Sequence, residues 1–199
     1  MPWYPRRLKA ASTPAADRVA EQTPNRVFLV GPMGSGKTTL GRRAADQLGL
    51  TFIDCDEEIE RRTGASVNLI FDIEGEAGFR ARETALLREL SERDGVLIAT
   101  GGGVIKSEEN RRILRDSGFV VWLPTTVNQQ LRRLEKDRKR PLLQAPDRRE
   151  RLEALARERN PLYARVADLT YRSRHRNVGR AAEGLARALH ADRQTEGPS

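Results

Sequence analysis

RVFLVGPMGSGKT, residues 26–38, is the stretch on which the fold turns. Val27 to Val30 is a short apolar run that reads as a β-strand, and it leads straight into GPMGSGKT, which sets Gly31, Gly36, Lys37 and Thr38 at the spacing of a Walker A loop. Glycines let the chain bend so that backbone N–H groups along Gly34, Ser35, Gly36, Lys37, Thr38 and Thr39 face one phosphate chain. The helical pattern of Thr39 to Leu48 behind the loop adds its positive dipole end. Lys37 is placed to bridge terminal phosphates and the Thr38 hydroxyl to ligate magnesium. A glycine-rich turn carrying Lys-Thr by chance would have neither the strand before it nor the helix after it. Nucleotide binding follows, but a Walker loop does not by itself separate a kinase from a GTPase, a motor or a nucleotide sensor.

Outward from this loop, further apolar runs at Thr51 to Ile53, Val96 to Ala99, Phe119 to Leu123 and Leu169 to Tyr171 alternate with helical patterns. In Glu76 to Arg93, Phe79, Leu86, Leu87 and Leu90 recur at helical spacing while Arg and Glu fill the other face. This alternation predicts an α/β fold with a central parallel sheet flanked by helices. Phe119 and Trp122 read as core. Residues 137–149, DRKRPLLQAPDRR, carry two prolines among dense charge and read as a surface loop. Residues 1–25, with four prolines and no periodicity, read as a flexible tail.

Composition narrows the class. Of the 199 residues 38% are apolar and 32% charged, no run approaches the roughly 20 apolar residues of a membrane span, and the lone Cys55 cannot form an internal disulfide. A cytoplasmic protein without membrane partners is expected. The net charge of +8 could serve a nucleic acid or a small polyanion. Aromatics are only 5% and do not interleave with the basic residues, so a platform for stacking nucleic-acid bases lacks material, and no nucleic-acid partner is expected.

The acceptor side must name the chemistry. The second strand runs out in Asp54, Cys55 and Asp56, at the carboxyl edge where parallel sheets bind ligands. If strand geometry holds to Asp56, both carboxylates share a face, one able to order magnesium through water and the other to accept a hydroxyl proton. The alternative is a helix cap for Glu57 to Arg62. Gly101, Gly102 and Gly103 follow the third strand, where a backbone without side chains admits close approach of a ligand.

From Asp54 onward the chain closely resembles the shikimate kinases. That family has an Asp-x-Asp pair, a Gly followed by Ile or Val and Phe, then Gly-Glu-x-x-Phe-Arg-x-x-Glu. Here these are Asp54 and Asp56; Gly64, Val67 and Phe71; and Gly75, Glu76, Phe79, Arg80 and Glu83. The triple glycine, Arg-Pro-Leu-Leu at Arg140 to Leu143, and Arg159, Pro161, Leu162 and Tyr163 complete a match over about residues 26–190, which implies a folded domain there and a second flexible tail at 191–199. Cys55 stands where the family commonly has Ser, and residues 135–139 are more charged than glycine-rich versions of the same loop.

The resemblance implies a P-loop kinase of nucleoside-monophosphate-kinase-like fold, with a substrate-binding insert near 55–84 and a mobile lid near 135–148. It implies transfer of phosphate from ATP, with one Mg²⁺ per active site, to the 3-hydroxyl of shikimate on the route to chorismate and the aromatic amino acids. Lys37, Asp56 and Arg140 would be catalytic, Asp56 as base. Arg133, next to Arg132, and Arg140 would join the loop residues around ATP. Asp56, Arg80, Gly101, Gly102, Gly103 and Arg159 would hold shikimate, and Thr38, with Asp54 through water, the metal. Arg80 and Arg159 suit a substrate carboxylate because a guanidinium offers a planar fork and a lysine does not. A monomer is expected. The rival readings are another small-molecule kinase of the same fold and a nucleotide-dependent regulator that binds nucleic acid through the Arg-rich second half.

Overall fold

The computed structural model describes residues 24–135, 147–173 and 177–191. In chain order the elements are β1 (Arg26–Val30), α1 (Lys37–Leu48), β2 (Thr51–Asp54), α2 (Cys55–Thr63), α3 (Val67–Leu90), β3 (Val96–Ala99), a 3₁₀ turn (Val104–Lys106), α4 (Glu108–Ser117), β4 (Phe119–Trp122), α5 (Val127–Arg133), α6 (Arg148–Val166), β5 (Leu169–Thr170) and α7 (Val178–Ala191). The five strands form one parallel sheet in the order β2-β3-β1-β4-β5. β1 lies at its centre and every strand ends at the same edge.

Alternation along the strands divides the core into two layers. Phe28, Val30, Ile98 and Val120 face one side and pack with Leu86, Leu87 and Leu90 of α3, Leu114 of α4 and Tyr163 of α6. Val27, Leu29, Leu97 and Val121 face the other, against Leu40 and Leu48 of α1 and Leu185 and Leu189 of α7. At β1 both faces are covered, which is why Val27 to Val30 is a continuous apolar run. Gly41 lets α1 lie close on the sheet, since a Cβ there would come within 2.7 Å of Leu29 and 2.8 Å of Phe52.

Several boundaries depart from the sequence reading, each for a local reason. The helix expected from Glu76 begins at Val67, where Ser66 caps it by accepting from Leu69 N at 3.2 Å; Gly75, at φ 70° and ψ −178°, breaks it in the middle. The strand expected to run to Asp56 stops at Asp54, which caps α2. Asn25, assigned to the tail, is tied to β3 by Val96 N donating to its carbonyl and Gly95 N to its side chain. Arg148 and Arg149, assigned to the loop, already lie in α6. Trp122 is half-buried, stacked on Tyr163 with centroids 6.1 Å apart, and Phe119 is half-buried against the α1/α7 layer. The readings that fall on residues 1–23, 136–146 and 192–199 lie outside the described residues.

Candidate active site

The loop between β1 and α1 is a bent cradle. Gly31, Gly34 and Gly36 have φ of 146°, 71° and 96°, values a side chain rarely permits. Ser35 N donates to Pro32 O at 3.2 Å, closing a turn over Met33 and Gly34. The ammonium of Lys37 is folded back on the loop, donating to the carbonyls of Gly31 (2.8 Å) and Pro32 (3.0 Å). The amino end of α1 opens beneath it, so backbone dipole and ammonium converge on one spot.

Asp54 takes the helix-cap alternative and at the same time reaches the Walker loop. One carboxylate oxygen accepts from Asp56 N at 3.0 Å and Glu57 N at 3.4 Å, capping α2, while the other accepts from the Thr38 hydroxyl at 2.7 Å. Shared strand alternation therefore does not relate Asp54 to Asp56. The turn into α2 does, and it carries Asp56 toward the glycine run, where a Cβ on Gly101 would stand 3.1 Å from Asp56 Oδ1.

Around Gly101–Gly103 four elements converge. Arg80 donates from Nη1 to Glu83 at 2.6 Å and from Nε to Glu76 at 3.3 Å, and Glu76 also accepts from Lys106 at 2.9 Å. The Arg80 guanidinium lies so close over Gly103 that a Cβ there would collide with it, and Glu83 crowds Gly101 in the same way. From α6, Arg159 Nη1 and the Tyr163 hydroxyl donate to Gly102 O at 3.3 and 2.5 Å. Gly101 and Gly103 are thus explained by close packing of a charged cluster on their backbone, whereas a Cβ on Gly102 would meet the Walker loop at an ordinary 3.4 Å.

Electrostatics marks Glu83 as the strained member. It is 1% exposed, and burial raises its pKa, opposed by Arg80 and Arg159 and reinforced by Asp56. Its Oε1, like Arg159 Nε, has no hydrogen-bond partner among the described residues. Burial likewise pushes the Tyr163 hydroxyl and the Cys55 thiol up, leaving both neutral. In the sequence Glu83 and Tyr163 stand only as members of the family motifs, without a role of their own.

On the other flank, Arg133 rather than Arg132 reaches the cradle, donating to Gly34 O at 2.8 Å and Ser35 O at 3.2 Å. Beside it opens a cleft of about 440 Å³, lined among others by Ser35, Thr125, Arg133, Asn160 and Arg172. Gln130, which the sequence reading passed over, donates to Met33 O at 2.9 Å. The available signal was a polar residue on the apolar stripe of Val127, Leu131 and Leu134. Arg140 lies outside the described residues.

A Walker cradle at the end of the central strand, facing a recess of carboxylates and guanidinium groups across the same sheet edge, defines a P-loop kinase of a small molecule. A family model described as shikimate kinase matches residues 33–190. Among curated proteins, shikimate kinase 1 of Sodalis glossinidius is 53% identical over 167 residues, covering 83% of this chain and 96% of the relative. The solved structure of a shikimate kinase from Acinetobacter baumannii in complex with shikimate superposes with a TM-score of 0.83 at 42% identity, covering 89% of this chain and 98% of that one. The shikimate kinase from Bacteroides thetaiotaomicron gives 0.77 at 33%, covering 83% and 98%. The chain belongs to the shikimate kinase family.

Proposed function

We propose that this protein transfers the γ-phosphoryl group of ATP to the 3-hydroxyl of shikimate, giving shikimate 3-phosphate and ADP on the route to chorismate. The observation that carries the reading is the convergence of Asp56, Arg80 and Arg159 on the glycine run, on the sheet edge that also holds the Walker cradle. A recess so supplied suits an acceptor with a carboxylate at one end and a hydroxyl at the other.

In this reading the backbone of Gly34 to Thr39 and the Lys37 ammonium hold the triphosphate, and Arg133 borders the cleft that takes the nucleoside. Arg80 and Arg159 each offer a planar fork to the acceptor carboxylate. Asp56 accepts the proton of the 3-hydroxyl as its oxygen bonds to phosphorus and the bond from phosphorus to the ADP oxygen breaks. Glu83 holds Arg80 in place from behind. Arg140, which falls between α5 and α6 in the sequence, would add positive charge to the site.

The donor set fits magnesium. Thr38 and Asp54 present only oxygen, adjoining Lys37, and no group of three or more His, Cys, Asp or Glu side chains competes as a metal site among the described residues. Magnesium is usually held by one or two protein oxygens, the rest coming from phosphate and water. Thr38 directly and Asp54 through water would hold one ion, which when bound neutralises charge on the phosphate oxygens. We further infer a cytoplasmic monomer that uses neither nucleic acid nor membrane. No described helix is long and apolar enough to cross a membrane.

A coupled ADP-release assay with a panel of acceptors tests this. Shikimate should drive ADP release well above the acceptor-free rate while gluconate and nucleoside monophosphates do not. Turnover of a neutral polyol or a nucleotide in preference to shikimate would overturn it.

A further inference from the structure

We propose that Gln130 is a positioning residue for the phosphate cradle, its buried carboxamide fixing which way the Met33–Gly34 peptide faces. The proposal rests on the kinase reading above and concerns a residue outside the motifs that carry it.

Gln130 is 3% exposed, on the side of α5 where Val127, Leu131 and Leu134 pack with Met33 and Leu152. An apolar side chain would fit that cluster without desolvation, whereas a buried amide costs free energy unless it is hydrogen-bonded. Its bond reaches a backbone carbonyl 97 positions away, Met33 O.

That carbonyl belongs to a peptide that can face either way. Ser35 N bonds back to Pro32 O, so Pro32 to Ser35 is a β-turn with Met33–Gly34 as its central peptide. The φ of 71° at Gly34, the third residue, is that of a type II turn. Type I and type II turns differ by a flip of this central peptide, and glycine at the third position accepts both. A trans peptide is planar with its C=O and N–H opposed, so a donor that captures Met33 O outside the loop turns Gly34 N–H inward. Leu134 closes the outer side, where a Cβ on Gly34 would lie 3.1 Å from it. Arg133 holds the next two carbonyls. α5 is thus a rail along the back of the cradle, and Gln130 is its buried contact.

Two variants test this in the full chain. Gln130→Met keeps the length and loses the donor; Gln130→Glu keeps the shape and, when ionised, offers only acceptors to a carbonyl. With ADP titrated calorimetrically and steady-state kinetics in both substrates, the Met variant should bind ADP about five- to twentyfold more weakly, the loss expected when a buried partner is stranded. Its KM for ATP should rise in step while the KM for shikimate stays within about twofold, and the Glu variant should move in the same direction. ADP affinity equal to the parent's in a folded variant overturns the proposal. So does an equal rise in both KM values with a fallen thermal midpoint, or failure of both variants to fold, since each marks a packing role alone. A parent that binds ADP but ignores shikimate would sink the acceptor reading and leave this test standing.

Discussion

The phosphate cradle is made of consecutive residues and presents mainly backbone, whereas the acceptor recess is made of side chains from α2, α3 and α6 gathered on the loop after β3. In the cradle, chain geometry does the work, so glycines at positive φ, a strand before and a helix after are enough to specify it. In the recess each polar group is held by another: Arg80 by Glu83 and Glu76, and Arg159 and Tyr163 by the carbonyl of Gly102. A cradle of this kind serves any nucleotide, and selectivity for an acceptor must reside in the recess.

Substitutions should sort along this division. The largest loss is expected at Lys37, whose ammonium lies over the loop on the carbonyls of Gly31 and Pro32: Lys37→Ala should lower kcat by about 10²-fold or more with the thermal midpoint near the parent's. A coupled assay that found activity within about threefold would remove the cradle from the chemistry. Arg80→Lys keeps the charge and loses the fork, so kcat/KM for shikimate should fall roughly 10- to 150-fold with the KM for ATP little changed. A matching loss for ATP would show that the two regions are not separable.

Glu83 gives a smaller, pH-dependent effect. Its folded pKa lies above its unfolded value of 4.5, so the stability it contributes is present below 4.5 and lost as pH rises through the raised value. The thermal midpoint of Glu83→Gln, set against the parent's, should therefore improve as pH rises across that interval, while its KM for shikimate rises by about fivefold because Arg80 loses its charged support. Parallel pH profiles of the two midpoints would mean that Glu83 is not strained. The smallest effect is expected at Glu58, further along α2 than Asp56 and paired with Arg61 and Arg62. Hydrogen bonds from Arg61 and Arg62 hold Glu58 down to about 2, which is stabilising above the usual 4.5 and is lost as pH falls toward about 2. Arg61 is 70% exposed and screened by solvent, so Glu58→Gln should cost no more than about 1 kcal/mol near neutral pH and flatten the acid limb of the stability curve.

The same division explains what could be read in the sequence. The cradle was legible because its signal is local: a buried strand, glycines, Lys37 and Thr38 in fixed order. The five strands were legible as apolar runs, β3 to the residue, but the end of β2 was not, because Asp54 both finishes β2 and caps α2, and periodicity does not see a cap. Gly75 hid the start of α3 by breaking its helical phase. In a chain with 36 lysines and arginines, nothing in spacing distinguishes Arg80 or Arg159 from a solvated helix face, and only the family resemblance pointed to them. Arg132 and Arg133 could be told apart only by which one reached Gly34 and Ser35. Gln130 left only a faint signal, a polar letter on the apolar stripe of Val127, Leu131 and Leu134, because a buried amide and a surface one are the same letter.

The central claim is that the recess selects a carboxylate while the cradle is indifferent to it. It is tested most directly by steady-state kinetics of the parent protein with shikimate and with its neutral carboxamide at saturating ATP. The account predicts a kcat/KM for the amide at least about tenfold lower, the value of one charge-assisted hydrogen bond, with an unchanged KM for ATP. Equal use of the two acceptors would contradict it, because Arg80 and Arg159 would then hold no carboxylate.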